Sequence, residues 1–218
     1  GLLGVLLIGF ALTDGFDLGV GALLPFVAKT DEERRAVINT IGATWEGNQV
    51  WFILGGGAIF AAWPFVYAVS FSGFYLAMFL VLAALILRPV GFKYRSKKPD
   101  AAWRARWDWA LFVGGFVPAL VFGVAVGNVI QGVPIDSQGN MTVDLIDLLN
   151  PYALLGGLTT LSLFLFHGAT FLALRTEGPT ADEAARLSKV LGPVAAVIGL
   201  AFVIWTTVIR HTPVAIVV

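Results

Sequence analysis

The sequence predicts an all-α, polytopic transmembrane helix bundle, and two properties of the chain support that fold class. Of its 218 residues, 58% are hydrophobic and only 13% are charged, whereas soluble domains average about 45–50% apolar and about 25% charged residues. The charged residues also leave long uncharged windows between them, and a membrane-crossing helix needs about 20 mostly apolar residues. The 14 basic and 14 acidic residues cancel, which argues against a nucleic-acid partner.

The uncharged windows divide the chain into six predicted membrane helices. Residues 1–28 form the first and contain two aspartates, while residues 47–87 are long enough for two helices separated by a turn near Ser70–Gly73. The windows are apolar all round, without the polar stripe of a soluble helix. We therefore predict one integral membrane domain over residues 1–218. The last three helices are predicted in the windows 109–135, 148–174 and 190–209.

The basic residues predict how these helices are oriented. Three alternate connections, 29–45, 88–108 and 175–189, contain 13 of the 14 lysines and arginines. The turn near Ser70 and the connection 136–147 contain none. By the positive-inside rule the basic connections are cytoplasmic and the N-terminus is outside.

Two acidic residues lie inside the first predicted helix. Asp14 and Asp17 are spaced i, i+3 and share one helix face. A carboxylate at the centre of a bilayer helix costs about 2.5–3.5 kcal/mol, so such groups usually face a partner, a cavity or a proton path. The alternative is that both lie in the headgroup region. Gly15, Gly19 and Gly21 give the same helix a surface that allows close approach of another helix.

A second polar group opens the next predicted helix. Glu46 is followed by Asn48 and Gln49, with Trp45 and Trp51 on either side. An acid at a helix N-terminus is favoured by the macrodipole, which leaves the two amides unexplained. One acid and two amides between two indoles could also form a polar pocket at membrane depth that holds water or relays protons.

Three further features have alternative interpretations. Arg88, at the end of the third predicted helix, either extends its guanidinium to the cytoplasmic surface or pairs with Asp17 or Glu46. His167 is either a haem ligand or a packed, hydrogen-bonded side chain, and no second histidine or methionine at helical spacing completes an axial pair. The sequence Gly55–Gly57 predicts close helix packing. No metal-binding motif is recognisable.

Seven short motifs then resemble, in order, subunit II of the cytochrome bd quinol oxidases. The resemblance covers residues 9 to about 176 and becomes generic beyond Glu177. The motifs are Thr13–Gly21, Asp31–Arg35, Trp45–Trp51, Phe60–Pro64, Phe71–Tyr75, Arg88–Phe92 and Gly127–Pro134.

The resemblance implies eight membrane helices, built as two related four-helix bundles, of which this chain would supply about six. The first helix would then lack its start and the last helices would be missing. It also implies a complex in the cytoplasmic membrane of a bacterium or archaeon that oxidises quinol and reduces dioxygen to water. A haem-bearing subunit I, with b-type haems and haem d, would be the partner, with a small single-helix subunit in some complexes. This chain would bind no haem firmly, although it could hold a structural quinone.

Carried over residue by residue, the resemblance places Asp14, Asp17 and Glu46 in the proton-entry region of the family, with Arg88 nearby. The family often has aspartate where this chain has Glu46, and some members have glutamine at the position of His167. The resulting hypothesis is a non-haem subunit that supports assembly and proton access. A purely structural subunit that holds lipid or quinone is the alternative, and a secondary transporter is a third.

Overall fold

The computed structural model describes residues 1–211, and it confirms an all-α membrane helix bundle. Within those residues it contains eight α-helices, and short 3-10 turns follow α5 (Arg95–Lys97) and precede α7 (Asp147–Leu149). The helices are α1 (Leu2–Val27), α2 (Asp31–Gly42), α3 (Trp45–Ala62), α4 (Pro64–Gly73), α5 (Tyr75–Tyr94), α6 (Ala101–Gln131), α7 (Pro151–Arg175) and α8 (Gly178–His211).

Five of the described helices, α1, α5, α6, α7 and α8, are long and apolar enough to cross a membrane. The remaining predicted span, which is the second in chain order, is divided into α3 and α4 by Pro64. Proline has no backbone N–H to donate. The preceding residue, Trp63, has φ −140° and ψ 68°, because a residue before proline is displaced from the helical region. The predicted turn near Ser70–Gly73 is confirmed, since α4 ends at Gly73 and α5 begins at Tyr75.

Helix α1 lies at the centre of the bundle and packs against α3, α6 and α7, while α5 packs on α6 and α8 packs on α7. Glycines permit the central contacts. A Cβ added to Gly168 of α7 would lie 2.6 Å from the carbonyl carbon of Gly19, and one added to Gly115 of α6 would lie 2.7 Å from the backbone nitrogen of Ala22. The predicted close approach along the glycines of α1 is therefore confirmed.

The short helix α2 follows α1 in a basic connection that we predict to be cytoplasmic. Its start is fixed by a capping box, in which the Thr30 hydroxyl accepts from the Glu33 backbone N–H and the Glu33 carboxylate accepts from the backbone N–H of Thr30. The bonds from the N–H groups of Thr30 and Lys29 hold the pKa of Glu33 below its usual value. Val37 and Ile41, further along α2, are buried against the bundle.

At the other end of the bundle an asparagine pair secures the connection between α6 and α7. The Asn128 amide donates to the carbonyl of Leu148 at 2.8 Å, and the Asn150 amide donates to Asn128 Oδ1 at 3.0 Å. Asn150 also caps α7 by accepting from the backbone N–H of Ala153 at 2.9 Å. The connection is therefore tied to both of the helices that it joins.

The glycine contacts predict opposite effects for two Gly→Ala changes on α1. Gly19→Ala would place its methyl group against the carbonyl oxygen of Phe164, so we expect the free energy of unfolding to fall by about 1–3 kcal/mol. Gly4→Ala has nothing within 4 Å and gains helix propensity, so the thermal midpoint of the detergent-solubilised full-length protein should stay or rise. Equal midpoints for the two variants would contradict the packing described for α1 and α7.

Candidate functional site

Two carboxylates from α1 form the centre of a buried polar cluster. Asp14 is 1% exposed and Asp17 is fully buried. The i, i+3 spacing places them on one face of the helix, as predicted. Because α1 is surrounded by α3, α6 and α7, this face is turned into the bundle.

Arg88 of α5 binds one of these carboxylates through a two-bond fork. Its Nη2 donates to Asp14 Oδ1 at 2.9 Å, and its Nη1 donates to Asp14 Oδ2 at 3.2 Å. The guanidinium is only 2% exposed, so it does not extend to the surface. The sequence interpretation named Asp17 or Glu46 as its partner. The structure corrects this to Asp14: α1 and α5 both pack against α6, and in that arrangement the Asp14 carboxylate lies opposite the guanidinium.

The second carboxylate is held by α3. The Asn48 side-chain amide donates to Asp17 Oδ2 at 2.8 Å. The other oxygen, Oδ1, is buried and has no hydrogen-bond partner among the residues that the structure describes. A buried polar atom without a partner carries a substantial desolvation cost. Asp17 is therefore the one half-satisfied carboxyl group in the described part of the cluster.

The two predicted pocket tryptophans have different surroundings. Trp45 covers the ion pair, because the guanidinium carbon of Arg88 lies 5.9 Å from the centroid of its ring, within cation–π range. Its ring also packs at 5.6 Å from that of Phe92. Trp51 instead packs against Gly9 and the apolar cluster around α1. Trp45 therefore contacts the polar cluster, whereas Trp51 lies among apolar residues.

The remaining predicted site residues lie outside the cluster. Glu46 is exposed in the first turn of α3, and its carboxylate has no bonding partner among residues 1–211. Gln49 is half-buried. His167 is half-buried on α7, with its ring packed edge-on against Phe16 at 5.5 Å. Throughout the described chain no three acidic, histidine or cysteine side chains converge as a metal site.

An ion-pair network at the basic end of the bundle escaped the sequence analysis. Asp108 of α6 accepts from Arg95 at 2.5 Å and from Arg34 at 2.9 Å. Asp31 accepts from Arg95 at 2.8 Å and from Arg104. Arg95 and Asp108 are 3% and 2% exposed. The basic residues had been counted only as charges of connections. The signal in the sequence is that Asp31 and Asp108 both lie in predicted cytoplasmic segments rich in arginine. An aspartate in such a segment has several possible ion-pair partners.

This arrangement defines a class of protein: a multi-pass membrane protein with a buried carboxylate–arginine cluster inside its helix bundle. The Asp14–Arg88 pair is charge-balanced and fixed by two bonds. Asp17 adds a third ionisable group with a free oxygen at the same depth. Intramembrane carboxylates of this kind are typical of proton and ion pathways.

Comparison with known families is consistent with this class. The family model of the cytochrome bd terminal oxidase subunit II matches residues 1–218. The chain therefore belongs to that family, as the motif resemblance predicts.

Named relatives agree with the family match. The chain is 58% identical over 190 residues to the "probable cytochrome oxidase subunit 2" of Haemophilus influenzae, covering 85% of the chain and 50% of that relative. It is 56% identical over 181 residues to the "cytochrome bd-I ubiquinol oxidase subunit 2" of Escherichia coli K12, covering 81% and 48%. The Bacillus subtilis "cytochrome bd ubiquinol oxidase subunit 2" is 41% identical over 201 residues, covering 92% and 60%. The chain thus spans about half the length of these relatives.

The buried fork predicts strong coupling between Asp14 and Arg88. Either Asp14→Leu or Arg88→Met leaves one unpaired charge in the bundle, which should lower the free energy of unfolding by about 3–5 kcal/mol. The double variant removes both charges, so we expect it to be more stable than either single variant. Unfolding of the detergent-solubilised full-length protein measures this cycle, with Asp17→Asn paired to Arg88→Met as the comparison. Additive losses for Asp14 and Arg88 would show that the pair is not formed.

Proposed function

We propose that this chain is part of the non-haem subunit of a cytochrome bd-type terminal oxidase. The whole complex would oxidise quinol and reduce dioxygen to water in the cytoplasmic membrane of a bacterium or archaeon. The observation that carries this proposal is the match of the entire chain to the subunit II family. The names of the Escherichia coli and Bacillus subtilis relatives, both ubiquinol oxidase subunits, support the substrate class.

The proposal assigns haem chemistry to the partner, a haem-bearing subunit I, with a small single-helix subunit as a further partner in some complexes. The donors in the described chain do not fit an axial haem site. His167 packs against Phe16, and the other histidine of the chain, His211, comes at the far end of α8. The two methionines, Met78 and Met141, pack elsewhere, around Phe74. Quinol oxidation and dioxygen reduction therefore belong, in this proposal, to the partner subunit.

The part assigned to this chain is proton access from the cytoplasm. Reduction of dioxygen to water consumes a proton with each electron, so a buried reaction site needs a proton path. Exposed Glu46 and half-buried Asn48 both lie at the start of α3, and Asn48 donates to buried Asp17. We propose that Glu46 collects protons at the surface, while Asn48, Gln49 and Asp17 continue the path inward. Uptake from the cytoplasm, with quinol protons released outside, makes the reaction electrogenic without pumping.

Substitution of the two carboxylates in the intact oxidase tests this path. Glu46→Gln and Asp17→Asn keep side-chain size and remove the exchangeable acidic proton, so oxygen consumption and membrane-potential generation should fall by about 100-fold or more if the path is obligatory. Glu32→Gln, an exposed acid on α2, is the matched control and should behave like the wild type. Haem absorption of each purified complex reports assembly. Wild-type turnover in assembled Glu46→Gln and Asp17→Asn complexes would refute the path.

A second candidate function is the structural holding of a lipid or quinone, and one feature favours it. An apolar cavity of about 710 Å³ lies between α3, α4 and α5. Tyr67 and Phe71 stack in its wall with centroids 4.1 Å apart. The predicted close packing of Gly55–Gly57 is wrong for two of the three glycines, because Gly56 and Gly57 have no neighbour within 4 Å beside them. They leave room in the cavity for an apolar chain or a flat ring.

A bulky residue at the cavity wall tests this second function. Gly57→Leu enters open space, so the helices should assemble normally while the cavity loses volume. We expect less quinone or lipid in organic extracts of the purified complex, measured by mass spectrometry. Gly4→Leu also enters open space but lies outside the cavity, so its extract should match the wild type. Unchanged extracts for Gly57→Leu would argue against an occupied cavity.

Two hypotheses from the sequence are separated by these experiments. A purely structural subunit would lose assembly before turnover changed in the carboxylate variants. A secondary transporter would move substrate without the oxidase, and membership of the terminal oxidase family gives that hypothesis no support.

A further inference from the structure

A small cavity adjoins the buried carboxyl group of Asp17. Its volume is about 10 Å³, which is the space that one water molecule requires. Residues of four helices line it, and most of them are aliphatic. Its lining includes Asp17 and Gly21 of α1, Val37 and Ile41 of α2, Arg88 of α5 and Leu111 of α6.

The free oxygen of Asp17 supplies a second, independent observation. Oδ2 is bonded to Asn48, but Oδ1 is buried and lacks a partner among the described residues. An ionised carboxylate needs a donor at Oδ1, whereas a protonated carboxyl group needs an acceptor for its O–H. Water can act as donor or acceptor. It therefore satisfies this atom in both states.

We propose that the cavity is a binding site for a single water molecule that bonds to Asp17 Oδ1. The site rests on and deepens the proton path proposed above, because this water would be the group that exchanges a proton with Asp17. Two polar residues, Asp17 and Arg88, line the cavity, and a buried water needs two to four polar partners.

Helix α2 forms the wall of this site toward the basic end of the bundle. Val37 is fully buried and Ile41 is 2% exposed, so both face the bundle and cover the cavity. Arg34 fixes the helix by donating to Asp108 at 2.9 Å and to the carbonyl of Ala28 at 3.1 Å. The apolar face of α2 thus lies between the proposed water and the predicted cytoplasmic side.

One added methylene group tests the site. Val37→Ile extends a side chain that lines the cavity, while Val27→Ile makes the same change in the same apolar cluster at a residue that does not line it. A high-resolution structure of the intact oxidase should show a water about 2.6–3.2 Å from Asp17 Oδ1 in the wild type and in Val27→Ile. Val37→Ile should lack it. Val20→Ile, from the α1 wall, serves as a second cavity-filling variant.

Infrared spectroscopy and proton uptake give the functional arms of the same experiment. The carboxyl band lost in Asp17→Asn should shift in Val37→Ile and stay fixed in Val27→Ile, and proton uptake should slow severalfold in Val37→Ile alone. A wild-type structure in which Oδ1 bonds only to protein atoms, or a water retained in both cavity-filling variants, would overturn the inference. If Asp17→Asn blocks uptake but no water is found, the proton path survives and the water site fails. If the wild type contains the water but Asp17→Asn takes up protons normally, the water site survives and the proton path fails.

Discussion

The fork between Asp14 and Arg88 is the interaction on which the rest of the cluster depends. Both charges are almost completely removed from water, and neither could remain there alone without a large desolvation cost. Their pairing links α5 to α1 and leaves Asp17, one helical turn away, to interact with α3. Because the pair carries no net charge, a change in the charge of Asp17 takes place beside a fixed and neutral neighbour. Asp14 is thus held by two bonds to Arg88, while Asp17 keeps one oxygen without a partner among the described residues.

The sequence predicted the residues of the polar cluster better than it predicted the bonds between them. The i, i+3 spacing of Asp14 and Asp17 correctly placed them on one buried face, because helical periodicity alone determines that geometry. The partner of Arg88 depended on how α1 and α5 are placed against α6, which no local pattern specifies. The same limit explains why the bonds of Asp31 and Asp108 were missed. Most of their ion pairs join the two connections 29–45 and 88–108, which are far apart in the sequence.

Local rules also failed where tertiary context outweighed them. Uncharged length predicted one continuous span where α3 and α4 occur, although Phe60–Pro64 already contained the proline that interrupts it. The run Gly55–Gly57 predicted helix packing, yet only Gly55 has a neighbour, Leu7 at 3.5 Å. Small residues permit close approach without requiring it. By contrast, Gly19 and Gly168 meet because two long helices already cross at that point.

The positions of Arg88 in α5 and of Arg95 in the 3-10 turn that directly follows it have a mechanical consequence. They are seven residues apart, which is nearly two full helical turns, so their side chains project from the same side about 10.5 Å apart along the axis. Asp14 holds the first inside the bundle, and Asp31 and Asp108 hold the second at its end. Rotation of α5 about its own axis would break both sets of bonds at once. The two sets of bonds thereby hold the rotation of α5 about its axis at two depths of the bundle.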